Sequence, residues 1–141
     1  TSFSVGSKAR SINLPSALCE IDMTFAAREG SRVTLRLSNE LGEHADLVFD
    51  GKTYTFDRAE SGLTDFSNDF AVPTVAPASD DKEQRVRLIV DLSSIEMFDG
   101  NGWWAMTNLV YPETPYNKVE VLSDNGTCKV KSLKIYGLNV K

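Results

Sequence analysis

Histidine is almost missing from this sequence: His44 stands alone among 141 residues. A nucleophilic Ser, Cys or Thr normally needs a positioned base, and in most triads that base is a histidine. His44 falls in the polar run Glu40–Asp46, and no Gly-x-Ser-x-Gly occurs anywhere, so no hydrolytic triad is legible. Cysteine is scarce too, limited to Cys19 and Cys128. Without a Cys-x-x-Cys there is no zinc pattern. The two cysteines read either as small buried hydrophobes or as a disulfide joining the first and last strands. Basic residues are outnumbered, 15 against 20 acidic ones, for a formal net charge of −5. That excludes nucleic acid as an expected partner, because a phosphate backbone needs a basic face. Long apolar runs are absent: none approaches the roughly 18–20 residues that cross a bilayer, so no membrane partner is expected either. No phosphate loop or dinucleotide fingerprint is present, and neither a cofactor nor a metal is implied. Thr1–Gly6 has no charged or apolar leader and the chain does not open on Met. A processed or excised chain, its address removed, is the expectation.

What is present is ordinary for a globular domain, with 41% hydrophobic and 25% charged residues. The length fits one domain, and a chain of this size buries about 68–70% of its unfolded surface without help from metal or disulfide. The dominant pattern is a period of two. Ala17, Cys19, Ile21, Met23 and Phe25 alternate with Leu18, Glu20, Asp22 and Thr24. Val33, Leu35 and Leu37 alternate with polar neighbours, as do Val86, Leu88 and Val90. Each pattern sends one set of side chains to a core and the other outward. Further strands are expected at Leu47–Phe49, Thr53–Phe56, Ile95–Phe98, Trp104–Tyr111, Val119–Leu122 and Thr127–Leu138. In the last of these the apolar phase slips between Val130 and Leu133, which predicts a bulge near Lys131 or Ser132.

The punctuation agrees. Asp50–Gly51 reads as a tight hairpin turn, and Asp99–Gly102 and Asp124–Gly126 supply residues that tolerate positive φ. No helical stripe lasts three turns, so eight to ten short strands point to a sandwich or a barrel. Asp65–Gln84, with Pro73 and Pro77, reads as one long loop. Residues 1–13 are set apart as an N-terminal extension and 14–141 as the folded module.

The carboxylates fall mostly at turns or on the polar phase of strands, the pattern of a solvated face rather than of two acids facing across a glycosidic bond. Two stretches look more deliberate. One is Phe56-Asp57-Arg58-Ala59-Glu60-Ser61-Gly62, where acid, base and acid cluster at a strand end before a glycine. The other runs from Val90 to Phe98 and on through Asp99-Gly100-Asn101-Gly102 to Trp103 and Trp104. Glu96 lies between Ile95 and Met97 and so projects to the opposite face. Neighbouring sugar hydroxyls can donate to a carboxylate while accepting from a planar guanidinium. An aromatic ring then covers the apolar C–H face of the sugar. Asp57, Arg58, Glu60, Glu96 and Trp103 are therefore the candidate carbohydrate-binding set, and no residue is a catalytic candidate. Structural roles stand beside this reading: an Arg–Asp clamp at a strand end, a Glu96 paired with Arg58 or Arg87, a tryptophan in the core. Trp103 and Trp104, being adjacent, should face opposite ways.

These two stretches resemble the C-terminal β-sandwich domain of glycoside hydrolase family 32, the family of levanases, inulinases and invertases. Asp57–Gly62 matches its Asp-Arg-x-x-Ser-Gly segment, and Val90–Phe98 matches its Val-Asp-x-Ser-Ser-(Val/Ile)-Glu-(Val/Met)-Phe strand. The turn Asp99–Gly102, the run Thr107–Pro112, the opening Glu20-Ile21-Asp22 and the closing Lys134-Ile135-Tyr136 also match, so the likeness covers roughly residues 14 to 140. It implies an all-β, two-sheet antiparallel β-sandwich of jelly-roll-like form. It also implies a secreted, periplasmic or cell-surface parent enzyme whose catalytic carboxylates lie on a separate N-terminal propeller. The propeller's Asn-Asp-Pro, Arg-Asp-Pro and Glu-Cys motifs do not occur here, and Cys19-Glu20 reads in the wrong order. The sandwich is similar as well to carbohydrate-binding module family 66, which takes the terminal fructose of fructans in an acidic, arginine-lined pocket. This implies fructan as a partner alongside the catalytic propeller, although Leu92 stands where the family's strand often carries Arg. Sugar binding predicts a concave acidic and arginine-lined pocket; packing alone predicts an exposed apolar patch.

Overall fold

The computed structural model describes residues 2–27, 30–58, 61–62, 74–78, 83–100 and 105–138. Among them there are twelve strands and no helix, and hence no helix long and apolar enough to cross a membrane. In chain order the strands are β1 (Phe3–Val5), β2 (Arg10–Asn13), β3 (Cys19–Ala27), β4 (Arg32–Ser38), β5 (His44–Phe49) and β6 (Thr53–Asp57). Then follow β7 (Thr74–Pro77), β8 (Glu83–Val90), β9 (Ser94–Asp99), β10 (Ala105–Leu109), β11 (Lys118–Asp124) and β12 (Cys128–Gly137). They form two six-stranded sheets, ordered β1-β12-β3-β8-β9-β10 and β2-β11-β4-β5-β6-β7. Every neighbouring pair is antiparallel, so the fold is an all-β sandwich.

The alternation read from the sequence is what closes the sandwich. Cys19, Ile21, Met23 and Phe25 of β3 point inward and are each no more than 1% exposed, as are Val86, Leu88 and Val90 of β8. Val33, Leu35 and Leu37 of β4 meet them from the second sheet. Burying each such side chain contributes about 1.5–3 kcal/mol. Phe25 meets Phe49 edge-on at 5.4 Å between centroids, and the Tyr54 hydroxyl donates to Gln84 Oε1 at 2.9 Å, tying β6 to β8 across the core. What space remains between Met23, Phe25, Leu35 and Tyr54 is a void of ≈ 10 Å³, too small for any ligand.

The connections gather at two ends. At one, the Asp50 end, the described turns at 50–53 and 124–127 are short and polar. There Gly51 and Asn125 take positive φ, and the Asp50 carboxylate accepts from the Lys52 and Thr53 amides at 2.9 and 2.8 Å. The other, the Arg58 end, holds residues 14–18, 39–43, 58, 61–62, 91–93 and 109–117 and the close of β12. Asn39 knits it together, accepting from the Leu41 and Glu43 amides and donating to Glu43 Oε1 and the Thr114 carbonyl.

Several expectations change. The stretch set apart as an extension carries two strands within residues 2–13: β1 pairs with β12 and β2 with β11, one edge strand for each sheet. The long loop from Asp65 contains β7 at Thr74–Pro77, paired with β6, and β8 has begun by Glu83; residues 65–73 and 79–82 of that stretch lie outside the described ones. His44 and Asp46 belong to β5, not to a polar loop, because both sit on its outward phase. β3 begins at Cys19, two residues after Ala17. The predicted bulge is there: the β12–β3 register shifts between Val130 and Ser132, leaving Lys131 as the extra residue. This lets Val130 and Leu133 both face the core.

The disulfide reading fails on distance. Cys19 lies opposite Gly137 and Cys128 opposite Ala27, so the two cysteines sit at opposite ends of the β3–β12 pairing. That step of eight residues is about 27 Å, against a limit of about 7 Å for bridged Cα atoms. Both are free and buried, and burial pushes both thiols up to about 11. The folded chain should therefore resist a thiol reagent at pH 8, and urea without reductant should release two reactive thiols per chain. Fewer than two in the unfolded, unreduced chain would reinstate a bridge.

Candidate functional site

The alternation that buries Tyr54 and Phe56 turns Asp57 outward at the end of β6, where it is exposed. Arg58, next in line, reaches across to the first sheet, and its Nη1 donates to the Leu109 carbonyl at 2.8 Å. The Val110 amide bonds the Ser93 carbonyl at 2.9 Å, and pairs along an antiparallel ladder alternate, so Leu109 turns its own amide and carbonyl away from β9. Arg58 thus caps a carbonyl on the open edge of the first sheet. Burial holds the Arg58 guanidinium below its usual pKa, with Tyr111 pulling the other way.

The rest of the segment completes a clasp. Ser61 is fully buried; its amide and hydroxyl both donate to the Arg58 carbonyl, at 3.1 and 2.6 Å. Its own carbonyl accepts from the Tyr116 hydroxyl at 2.6 Å, and burial raises that phenol's pKa. Gly62 has φ +145°, and a Cβ there would fall 2.2 Å from the Tyr111 carbonyl oxygen. Arg, Ser and Gly of the motif are all engaged in fixing the end of β6 to residues 109–116.

Glu96 occupies a different surface. Ile95 and Met97 are buried, so Glu96 faces outward from the first sheet, half-buried, opposite Ile89 of β8 and Thr107 of β10. The same outer face carries a lattice of charges. Arg85 binds Asp22 through two bonds of 3.0 and 2.7 Å, and Arg87 binds Glu20 at 2.8 Å while lying 5.8 Å from the centre of the Phe98 ring. The Arg85 hydrogen bonds hold the Asp22 carboxyl below the usual carboxylate range. Arg87 therefore has Glu20 as its ion-pair partner.

The structure brings Arg58 and Glu96 to one neighbourhood and sends Asp57 elsewhere. Leu109, which Arg58 caps, lies opposite Ser94, and Glu96 is two residues further along β9, about 7 Å. Asp57 faces outward from the second sheet opposite Asp46. Asp46 in turn takes Arg36 at 2.8 and 2.9 Å and His44 at 3.1 Å. Asp57 and Glu96 thus project from opposite outer faces of the sandwich. Glu60 and Trp103, with Trp104, lie outside the described residues. Sequence reasoning missed Leu109 and Tyr116, whose roles run through backbone carbonyls that no motif marks; Arg87, considered there as a partner of Glu96, binds Glu20. Among the described residues no three His, Cys, Asp or Glu are placed to hold a metal ion.

Comparison with known proteins supplies the wider setting. The profile described as "Glycosyl hydrolases family 32 C terminal" matches residues 2–137. The levanbiose-producing levanase of Bacillus subtilis (strain 168) is 29% identical over 133 residues, which is 92% of this chain and 26% of the levanase. The extracellular exo-inulinase of Aspergillus awamori is 29% identical over 124 residues, 83% of this chain and 23% of that protein. The crystal structure of exo-inulinase from Aspergillus awamori superposes with a TM-score of 0.84 at 20% identity, over 99% of this chain and 28% of that one. The chain spans about a quarter of the length of these relatives.

The clasp gives an ordering of glycine substitutions. Gly62→Ala should destabilise the fold by about 4 kcal/mol or more in urea denaturation. Gly42→Ala, at φ +83° with nothing within 4 Å, should cost only the backbone strain of about 1–2 kcal/mol. Equal costs at the two positions would mean that residues 109–112 do not lie against Gly62.

Proposed function

The chain belongs to the C-terminal domains of family 32 glycosyl hydrolases, and on that premise we propose that it serves as the non-catalytic packing module of a fructan-hydrolysing enzyme, steadying a separate catalytic domain. The observation that carries this reading is the clasp. Three residues of the Asp57–Gly62 segment, Arg58, Ser61 and Gly62, are committed to internal bonds and close packing. A ligand would find them already taken. The matched profile covers the C-terminal domain alone, and this chain holds no catalytic propeller. The extracellular relatives support a secreted parent, acting on levan or inulin.

One observation favours a second reading, in which the module also holds the terminal fructose of a fructan. The carbonyl that Arg58 caps and Glu96 are offset by about 7 Å along the strands and by at least one strand spacing of about 4.8 Å across them, with complementary charge. Glu60 and Trp103, the other members of the candidate set, lie outside the described residues, and Asp57 would meet sugar only from the other face.

Calorimetry with levan, inulin and fructose separates the two. The packing reading expects no heat from well-folded chain with any of the three. Saturable heat that disappears in both Glu96→Ala and Arg58→Ala, with thermal melts showing both variants folded, would install the second reading in its place.

A further inference from the structure

The pair Asn-Gly occurs twice in the sequence, at Asn101–Gly102, which lies outside the described residues, and at Asn125–Gly126. The second pair sits in the turn that carries the chain from β11 in one sheet to β12 in the other. Asn125 has φ 60°, and among the described residues it is the only non-glycine residue in the left-handed region. Asparagine and glycine both accept such a backbone, which is why this pair can make the turn. Asn125 is exposed, as are Asp124 and Thr127 beside it.

Two groups that can react with each other are left unheld there. Among the described residues nothing bonds the Asn125 carboxamide and nothing accepts the Gly126 amide; the Gly126 carbonyl is fixed, accepting the Ser123 hydroxyl at 2.8 Å. Glycine also has no Cβ to obstruct the approach of its nitrogen to the preceding side chain. We propose that Asn125 is a site of spontaneous covalent modification, a deamidation driven by its own neighbour. The Gly126 nitrogen gives its proton to water or hydroxide and attacks Asn125 Cγ. The N–Cγ bond forms, the Cγ–Nδ2 bond breaks, and the side-chain nitrogen leaves as ammonia. One water then opens the five-membered imide. Breaking the new N–Cγ bond gives aspartate; breaking the original peptide bond gives isoaspartate, whose main chain runs through Cγ. Either product adds one negative charge to the chain.

The other described asparagines lack this arrangement. Asn39 has both ends of its carboxamide bonded, and Asn108 is 1% exposed. Asn13 precedes Leu14, whose amide donates to the Asn117 carbonyl at 2.8 Å, and Asn117 precedes Lys118 of β11. The place of the reaction gives it a consequence, because the turn is pinned at both ends. Ser123 is buried, and its amide donates to the Gly6 carbonyl at 2.9 Å, just past β1. Cys128, also buried, pairs with Val5 of β1 on one side and Ala27 of β3 on the other. An added main-chain carbon between these pins pushes the Gly126 carbonyl away from the Ser123 hydroxyl. The isoaspartyl chain therefore loses part of the join between the two sheets, while the aspartyl chain keeps it.

The test ages the folded chain in mildly alkaline buffer and maps its peptides by mass spectrometry with isoaspartate detection. Asn125 should convert about tenfold or more faster than Asn13, Asn39, Asn108 and Asn117, because a free turn reacts without the local opening that the others require. A more acidic form should build up on ion exchange, and Asn125→Gly, which keeps a residue suited to positive φ, should slow that build-up. The isoaspartyl chain, once separated, should melt below Asn125→Asp, which carries the same charge on a main chain of normal length. Loss of ammonia at Asn101 alone, an acidic form undiminished in Asn125→Gly, or conversion of Asn125 only in chain unfolded by urea would each overturn the proposal. Equal melting of the isoaspartyl chain and Asn125→Asp would overturn the consequence drawn from the pinned turn.

Discussion

Each sheet must keep one face of alternating side chains against the other, and everything else in the molecule is arranged around that demand. A slip of one residue in any long strand would exchange its buried and exposed sets. The register of β3 shows how tightly this is held: Ile21 and Met23 face inward between Leu88 and Val86 on one side and Ile135 and Leu133 on the other. β12 satisfies the same demand over ten residues only by inserting Lys131, which resets the phase so that Val130 and Leu133 share the core. The bulge is the local cost of a strand long enough to span the sandwich.

With the core fixed in this way, the outer faces are free for charge and the ends are free for connections. The charge lattice on the first sheet, Asp22 with Arg85 and Glu20 with Arg87, neutralises itself across strands. Surface pairs of this kind add little stability. They do oppose slippage, because moving β8 by one residue would turn both arginines into the core. The connections at the Arg58 end answer a different need. There β6 stops on one sheet and β10 on the other, and Arg58 joins the two by capping a carbonyl that would otherwise be an open edge.

Much of the architecture was legible because burial on one face imposes period two. β3, β4 and β8 could be read directly, and the Val130–Leu133 slip announced the bulge. β1 and β2 could not, since Phe3–Val5 and Arg10–Asn13 are short edge strands with little to bury. β7 was hidden by Pro77, which an edge strand tolerates but which reads as a loop. For the candidate site the limit is of another kind. Asp57, Arg58 and Glu96 were identified as unusual from their neighbours alone. Whether they face one another depends on which sheet β6 and β9 join, and that is settled by pairings between strands far apart in sequence. Arg58's target, a main-chain carbonyl 51 residues away, leaves no trace in residue types.

That target also bears on why a motif can be prominent without being a binding site. A guanidinium aimed at a backbone carbonyl, a serine folded back on the preceding turn and a glycine pressed against a peptide group are each intolerant of substitution for reasons internal to the fold. What they achieve together is a fixed join between the end of β6 and residues 109–116, with Leu109 and Tyr111 exposed beside it. Rigid loops carrying apolar side chains lose little entropy when covered. Loops meant to adapt to a polymer end would be expected to keep their polar groups unspent. At this end Asn39 and Ser61 are bonded inside the fold while leucines and tyrosines are exposed, the arrangement expected under the packing reading.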